Sequence, residues 1–233
     1  MSRVLTAARL HLVNPLVMLG IPWLVAGISF AINLALFGLT DAGADMEGGG
    51  FTAGVASLYI TVLIVFVQAV TQLLPFAMGL SLSRRTFYLG TALVAVVQSL
   101  CYGVVLAALV AVEGATGGWG VDLAFWGPGT MDVDAFALQV VVSGGPMLAA
   151  TSVGIGIGVV MKRWGQRGLW ALIVGTLVVL GGLAVLVTWL EAWGDLGTWF
   201  GDRAVATLAA GVPAILAAAL AALSWAGIRR TVP

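Results

Sequence analysis

The sequence predicts an all-α membrane protein with six transmembrane helices, both termini in the cytoplasm and an amphipathic N-terminal interfacial helix. Three observations predict this class. First, 61% of the 233 residues are hydrophobic and only 9% are charged, whereas soluble domains carry roughly a quarter charged residues. Second, six long segments contain no charged residue. Third, the charges between those segments alternate in sign along the chain.

The uncharged segments are long enough to cross a bilayer as helices. They cover residues 12–40, 48–83, 86–112, 135–161, 168–190 and 204–228. A helix needs roughly 20 residues to cross about 30 Å of hydrocarbon, and backbone groups in lipid must be hydrogen-bonded internally. We therefore expect a single transmembrane domain over residues 1–233. Its predicted spans are about 15–38, 54–80, 87–112, 135–161, 168–190 and 204–227.

The charges between the segments predict the orientation. All ten acidic residues fall in three connecting segments, and nine of the ten basic residues fall in the other four; only Arg203 breaks the pattern. Cytoplasmic loops of membrane proteins carry an excess of Lys and Arg. The alternation therefore places the N-terminus and the C-terminus on the cytoplasmic side.

Residues 2–14, before the first span, are amphipathic. The apolar positions at helical spacing are Val4, Leu5, Ala8 and Leu12. Arg3 and Arg9 can reach lipid phosphates, so this segment predicts a helix lying on the inner leaflet; a frayed terminus is the alternative. The uncharged stretch that follows is too long for a signal peptide, whose apolar region has about 7–15 residues, so we expect it to be retained as the first span.

Several single residues have a structural interpretation. His11 lacks the clustered Cys, His or carboxylate groups of a metal or catalytic site, so we expect no catalytic residue, no metal and no cofactor bound by this chain. His11 is instead expected to contact lipid headgroups or a neighbouring helix. Cys101 lies in an apolar run and is expected to pack as a small hydrophobe. Trp119 and Trp126 are expected to rest on the outer leaflet, either anchoring the bundle or capping a pathway.

The predicted membrane cores contain no Asp, Glu, Lys, Arg or His. Titratable groups at membrane depth are the usual mark of proton relays and of ion-coupled transport. Their absence argues against a carrier driven by protons, although sodium coupling through carbonyls and hydroxyls stays open. A transporter of this composition needs an external energy source.

Uncharged polar residues do occur within the predicted spans, in pairs that share a helix face. The pairs are Gln68 with Gln72, Gln98 with Tyr102, and Gln139 with Ser143. Polar side chains at this depth turn toward other helices or toward a wet cavity. They predict either interhelical hydrogen bonds or a weakly polar path for an amphipathic substrate.

Small residues on two spans predict close helix packing. Gly154 and Gly158 have the spacing that lets two helices approach, and the glycine run to which they belong is not a dinucleotide fingerprint because it lies inside a span. A second ridge of small residues consists of Ala210, Ala214, Ala218 and Ala222. Either ridge is expected to form an internal contact or a subunit interface.

The segment Leu74-Pro-Phe-Ala-Met-Gly-Leu-Ser-Leu-Ser-Arg-Arg-Thr-Phe-Tyr-Leu-Gly90 resembles a motif of the small bacterial permease subunits of type 2 ATP-binding-cassette exporters. In those permeases a span ends in a Gly-containing turn, continues as Ser-Arg-Arg-x-Phe/Tyr and re-enters the membrane. The six-span layout, the amphipathic N-terminal helix and the inside termini resemble them along essentially the whole chain. The second inner loop, 162–167, and the small outer loops depart from family members.

The resemblance implies a function and partners. Ser83, Arg84, Arg85 and Phe87 would form the loop that couples the permease to a separate ATPase subunit, which binds ATP and Mg; the chain itself lacks a P-loop motif and is expected not to be an enzyme. A second permease copy or paralogue and two ATPase subunits would complete an exporter of an amphipathic small molecule, peptide or lipid in the bacterial cytoplasmic membrane, with no nucleic acid involved. The alternative is a non-transporting membrane protein, such as an assembly factor, immunity protein or sensor partner.

Overall fold

The computed structural model describes residues 3–40, 50–129, 132–205 and 207–228, and its regular structure is almost entirely helical. The helices are α1 (Arg3–Leu10), α2 (Ile21–Leu39), α3 (Ala56–Gly79), α4 (Arg84–Ala115), α5 (Phe136–Trp189), α6 (Trp193–Gly201) and α7 (Val212–Ile228). Single π-helical turns, Leu16–Gly20 and Thr207–Gly211, lead into α2 and α7. Two short parallel strands, β1 (Gly50–Phe51) and β2 (Leu123–Ala124), pair beside a 3-10 turn at Gly118–Gly120.

Within the described ranges, five helical segments are long and apolar enough to cross a membrane. They are Leu16–Leu39, Ala56–Gly79, Arg84–Ala115, Phe136–Trp189 and Thr207–Gly227. The predicted class, an all-α protein with several helices suited to a bilayer, is therefore confirmed.

Helix α5 is interrupted at Gly165. Its 54 residues would extend about 80 Å as one straight helix, far beyond the roughly 30 Å of a hydrocarbon core. Gly165 leaves the helical conformation at φ 62° and ψ −151°, which glycine adopts without steric cost. Val153 and Leu177 stand twelve positions to either side of it and line the same cavity. The chain therefore doubles back, and the predicted inner loop 162–167 is reduced to a tight turn.

The core lies between α3, α4 and the first half of α5. Gly154 and Gly158 bring α5 against α3: a Cβ at Gly154 would collide with the Leu63 carbonyl oxygen, and one at Gly158 would lie 2.7 Å from Val70 Cβ. Only glycine permits this approach. In the second half of α5, by contrast, every residue from Trp170 to Leu186 is exposed.

Helix α1 packs against the beginning of α4. A Cβ at Gly90 would lie 2.8 Å from Ala7 Cβ, so glycine again permits close approach. Ala7 and His11 are buried, whereas Arg3 and Arg9 stay exposed. The segment predicted to be amphipathic over 2–14 is therefore a helix over its first part, with one face against the bundle.

Candidate functional site

Ser83 fixes where α4 begins. Its backbone is extended, and its Oγ accepts a hydrogen bond from the Thr86 backbone N–H at 3.1 Å, which satisfies one of the orphan donors of a helix start. Only four residues separate this helix from the end of α3. Arg84 and Arg85 therefore lie in the first helical turn, and not in a loop before a span at 87 as the sequence suggested.

Phe87 and Tyr88, which follow Thr86 on α4, face inward. Phe87 is only 1% exposed and its ring centroid lies 5.7 Å from that of His11. Tyr88 donates a hydrogen bond from its hydroxyl to the Ala221 carbonyl at 2.6 Å, and its ring lies 5.4 Å from Trp225. The first turn of α4 is thus held between α1 on one side and α7 on the other. Phe87 was expected on a coupling surface, but it is buried and packs near His11.

The polar residues of the same turn differ in exposure. Ser83 and Arg85 are exposed, and the Arg85 guanidinium lies 5.9 Å from the Trp225 ring centre. Arg84 is half-buried, and its Nε is enclosed without a hydrogen-bond partner among the described residues. Two fixed positive charges therefore mark this end of the bundle.

His11 lies directly behind this turn. Its Nε2 is 2.9 Å from Thr91 Oγ1, and the Thr91 hydroxyl donates to the Phe87 carbonyl at 3.0 Å. Because that hydroxyl has one proton, it accepts from His11, which assigns the proton of the neutral ring to Nε2. Burial lowers the pKa of His11 to about 4, since the charged form would lose its hydration. Within the part of the chain that the structure describes, no cluster of His, Cys, Asp and Glu could hold a metal ion.

Gln98 and Tyr102 face the π-helical turn before α2. Gln98 Nε2 donates to the Met18 carbonyl at 3.4 Å, and the Tyr102 hydroxyl donates to the Leu19 carbonyl at 3.2 Å. Both side chains are buried, which matches the interhelical interpretation of this pair. Cys101, expected to be packed away, is exposed on α4.

Gln139 and Ser143 connect α5 by hydrogen bonds to the preceding loop and to α3. Gln139 donates from Nε2 to Ser143 Oγ at 3.2 Å, and its Oε1 accepts from the Val133 backbone N–H at 3.0 Å. The Tyr59 hydroxyl donates to the Ser143 carbonyl at 3.2 Å. This pair is engaged in interhelical and loop hydrogen bonds.

Gln68 and Gln72 lie on the surface of the helical bundle. Both are exposed on α3, and no hydrogen bond joins either side-chain amide to another described residue. The structure therefore does not bring the three polar pairs to one cavity within a single chain. Only Gln68 and Gln72 are presented outward.

The sequence did not indicate a role for Glu113, a carboxylate that is only 6% exposed near the C-terminal end of α4. Its oxygens accept from Trp119 Nε1 at 3.0 Å and from the backbone N–H groups of Phe125, Trp126 and Gly127 at 2.9 to 3.2 Å. The loop thus folds around one buried charge. The signal in the sequence was an acid just after an apolar run, followed by a loop rich in Gly and Trp.

The aromatic residues of this loop pack inward. Trp126 is 7% exposed, and its ring lies 5.4 Å from Phe30 and 6.2 Å from Trp23. Trp119 lies edge-on to Phe30 at 5.0 Å. Both side chains therefore pack against α2.

No family model, curated protein or solved structure matches this chain.

Proposed function

We propose that this chain is the permease subunit of an ATP-binding-cassette exporter in the bacterial cytoplasmic membrane. In this proposal the chain has six spans, with the two halves of α5 as the fourth and fifth, and both ends inside. It pairs with a second permease and two separate ATPase subunits, and it moves an amphipathic molecule outward. The observation that carries the proposal is the outward presentation of Gln68 and Gln72.

These two amides stand at the middle of α3. Gln68 is 12 residues from Ala56 and 11 from Gly79, so it lies about 18 Å from the first residue of the helix. An amide without a hydrogen bond in hydrocarbon costs about 2 kcal/mol or more. If lipid alone surrounded the chain, the amides of Gln68 and Gln72 would each lack a hydrogen bond and would each incur this cost. A second copy facing α3, with a wet path between the two, removes it.

The first turn of α4 supports coupling to a soluble partner. Ser83 and Arg85 are exposed beside the half-buried Arg84, and guanidinium groups suit ion pairs at interfaces. The turn contacts His11, the residue after α1, through Phe87, and α7 through Tyr88. A force applied to the turn is therefore passed to two other helices.

The composition supports an external energy source. The six uncharged segments of the sequence contain no Asp, Glu, Lys, Arg or His, and the sequence contains no G-x-x-x-x-G-K-[ST] motif. ATP hydrolysis by a partner supplies what such a permease lacks.

Copurification tests the coupling step. The chain is coexpressed with a candidate ATP-binding-cassette ATPase from the same organism, and the ATPase that stays bound to the permease is quantified. We expect Arg84→Gln with Arg85→Gln to reduce the bound ATPase at least tenfold. The matched control, Arg163→Gln with Arg167→Gln, removes the same charge from the other inner turn and retains binding. Full association of the first double variant would count against this function and would favour a non-transporting membrane protein.

The pairing step is tested separately. Gln68→Leu with Gln72→Leu keeps the packing of one chain, because both side chains are exposed, and is expected to lower the dimer fraction in detergent and to abolish ATP-dependent transport. The control Thr176→Val alters an exposed polar residue on α5 and is expected to leave both unchanged. An unaltered dimer fraction in the double variant contradicts the assigned interface.

A further inference from the structure

A groove of about 800 Å³ lies between the two halves of α5 and α7. Its walls are apolar and include Val160 from the first half of α5, Leu172 and Ile173 from the second half, and Leu220 and Leu223 from α7. Packed protein interiors contain few voids larger than a water molecule. A gap of this size between helices is therefore filled in a bilayer, and its walls favour a hydrocarbon chain.

The groove extends from one surface of the bilayer toward its middle. The first half of α5, from Phe136 to Gly165, is about 45 Å long, which matches the roughly 40–45 Å of a bilayer with its headgroups. Arg163, two positions before Gly165, therefore lies at the level of the headgroups. Val153, also in the groove wall, is about 15 Å of helix away from Arg163, which is half of the roughly 30 Å hydrocarbon core. The groove thus has the length of an acyl chain in one leaflet.

The headgroup end of the groove is positively charged. Arg163 lines the groove and is half-buried, and Lys162 and Arg167 belong to the same turn. The Arg163 guanidinium lies 4.4 Å from the Trp164 ring centre, and no hydrogen bond or ion pair joins it to an acceptor among the described residues. Its five N–H donors are therefore available to an anion that enters the groove.

We propose that this groove binds one anionic phospholipid, with the phosphate on Arg163 and one acyl chain along the apolar walls. Guanidinium groups bind phosphate oxygens through charge-assisted hydrogen bonds, and basic pockets between membrane helices suit anionic headgroups. A zwitterionic lipid brings a second, positive group toward Lys162 and Arg167, which repel it. The bound lipid joins the second half of α5, where every residue from Trp170 to Leu186 is exposed, to the rest of the bundle. This inference depends neither on a partner ATPase nor on a second permease.

Native mass spectrometry of the full chain tests the proposal. The delipidated chain is mixed in detergent with equal amounts of phosphatidylglycerol and phosphatidylcholine that carry the same acyl chains, and the retained lipid is identified from the added mass. The charge is removed in Arg163→Gln, with Arg163→Lys as a second variant. The matched control is Arg203→Gln, because Arg203 also lies over a tryptophan, 5.0 Å from the Trp199 ring centre, but does not line the groove.

A further variant tests the acyl part of the site. Ala226 is exposed on α7 and lines the groove, so Ala226→Trp fills part of the groove and leaves Arg163 in place. This variant is expected to lower the retention of both lipids.

We expect the unmodified chain to retain one phosphatidylglycerol about tenfold more often than one phosphatidylcholine, the difference typical of a hydrogen bond to a charged group. Arg163→Gln should remove most of this preference, Arg163→Lys should keep part of it because it retains the charge but not the fork of donors, and Arg203→Gln should leave it unchanged. Equal retention of the two lipids by the unmodified chain, a preference that persists in Arg163→Gln, or the same loss in Arg203→Gln would overturn the proposal. Unaltered retention in Ala226→Trp would place the lipid elsewhere, and loss of a dimer in that variant without any lipid binding by the unmodified chain would assign the groove to a second copy.

Discussion

Replacing Glu113 with alanine should open the loop that follows α4. The carboxylate accepts hydrogen bonds from four donors: Trp119 Nε1 and the backbone N–H groups of Phe125, Trp126 and Gly127. Each buried donor left without an acceptor costs about 1–3 kcal/mol. Four such donors therefore cost at least about 4 kcal/mol in the native loop. The loop is expected to rearrange and expose them to water.

Hydrogen exchange measures this opening directly. With a loss of about 4 kcal/mol, the amides of Phe125, Trp126 and Gly127 should exchange roughly a thousandfold faster, while amides in the middle of α3 stay protected. Glu113→Gln retains one acceptor oxygen and turns an NH₂ group toward the remaining donors, so its effect should be intermediate.

The matched control is Asp134→Ala, which removes an exposed carboxylate between the same two helices. It should leave exchange at the three amides unchanged. If Glu113→Ala preserves their protection, the loop is held by its aromatic packing and the reasoning from hydrogen bonds is refuted.

Three further predictions concern the helices. Because burial lowers the pKa of His11 from 6.5 to about 4, the folded state resists its protonation; stability should fall by about 2 kcal/mol between pH 7 and pH 5, measured by thermal unfolding. Gly158→Ala should lower the free energy of unfolding by about 1–3 kcal/mol, because the new methyl group meets Val70. Ser83→Ala should cost about 1 kcal/mol and increase exchange at the Thr86 amide, since the helix loses its cap.

Each of these predictions has a control. His11→Gln should remove the loss of stability between pH 7 and pH 5, and an unchanged loss would assign it to other groups. Gly175→Ala adds a methyl group where nothing lies within 4 Å and should raise stability by up to about 1 kcal/mol; if Gly158→Ala behaves likewise, the close approach to α3 is wrong. Ser57→Ala, elsewhere on α3, should leave exchange at the first turn of α4 unaffected.

The helical class was predictable because a helix that crosses the hydrocarbon core of a bilayer needs about 20 residues without a charged side chain. The residues at which the helices begin and end were not predictable. Ser83 moves the beginning of α4 three residues ahead of the predicted span, through a side-chain cap that hydropathy does not register. Residues 162–167 were predicted to form a loop, but the helical conformation is interrupted only at Gly165, which has a positive φ. Hydropathy does not indicate this backbone conformation.

The candidate site was predictable only as sets of residues that share a helix face. Spacing indicates that Gln68 and Gln72 lie together, as do Gln98 and Tyr102, but it carries no information about where a face points. The two pairs differ in burial: Gln98 and Tyr102 are buried and donate to carbonyls before α2, whereas Gln68 and Gln72 are exposed and make no side-chain hydrogen bond with a described residue. Phe87 shows the same limit, because its buried position depends on where α1 packs.

The second half of α5 has a consequence for biogenesis and for sequence variation. From Trp170 to Leu186 every side chain is exposed within the chain, so few protein contacts hold this segment in place. Its entry into a bilayer therefore rests on the summed transfer free energies of its own residues, before any tertiary contact forms. Exchanges among Leu, Ile, Val and Phe along it should be tolerated, whereas one added charge should impair membrane insertion and not packing.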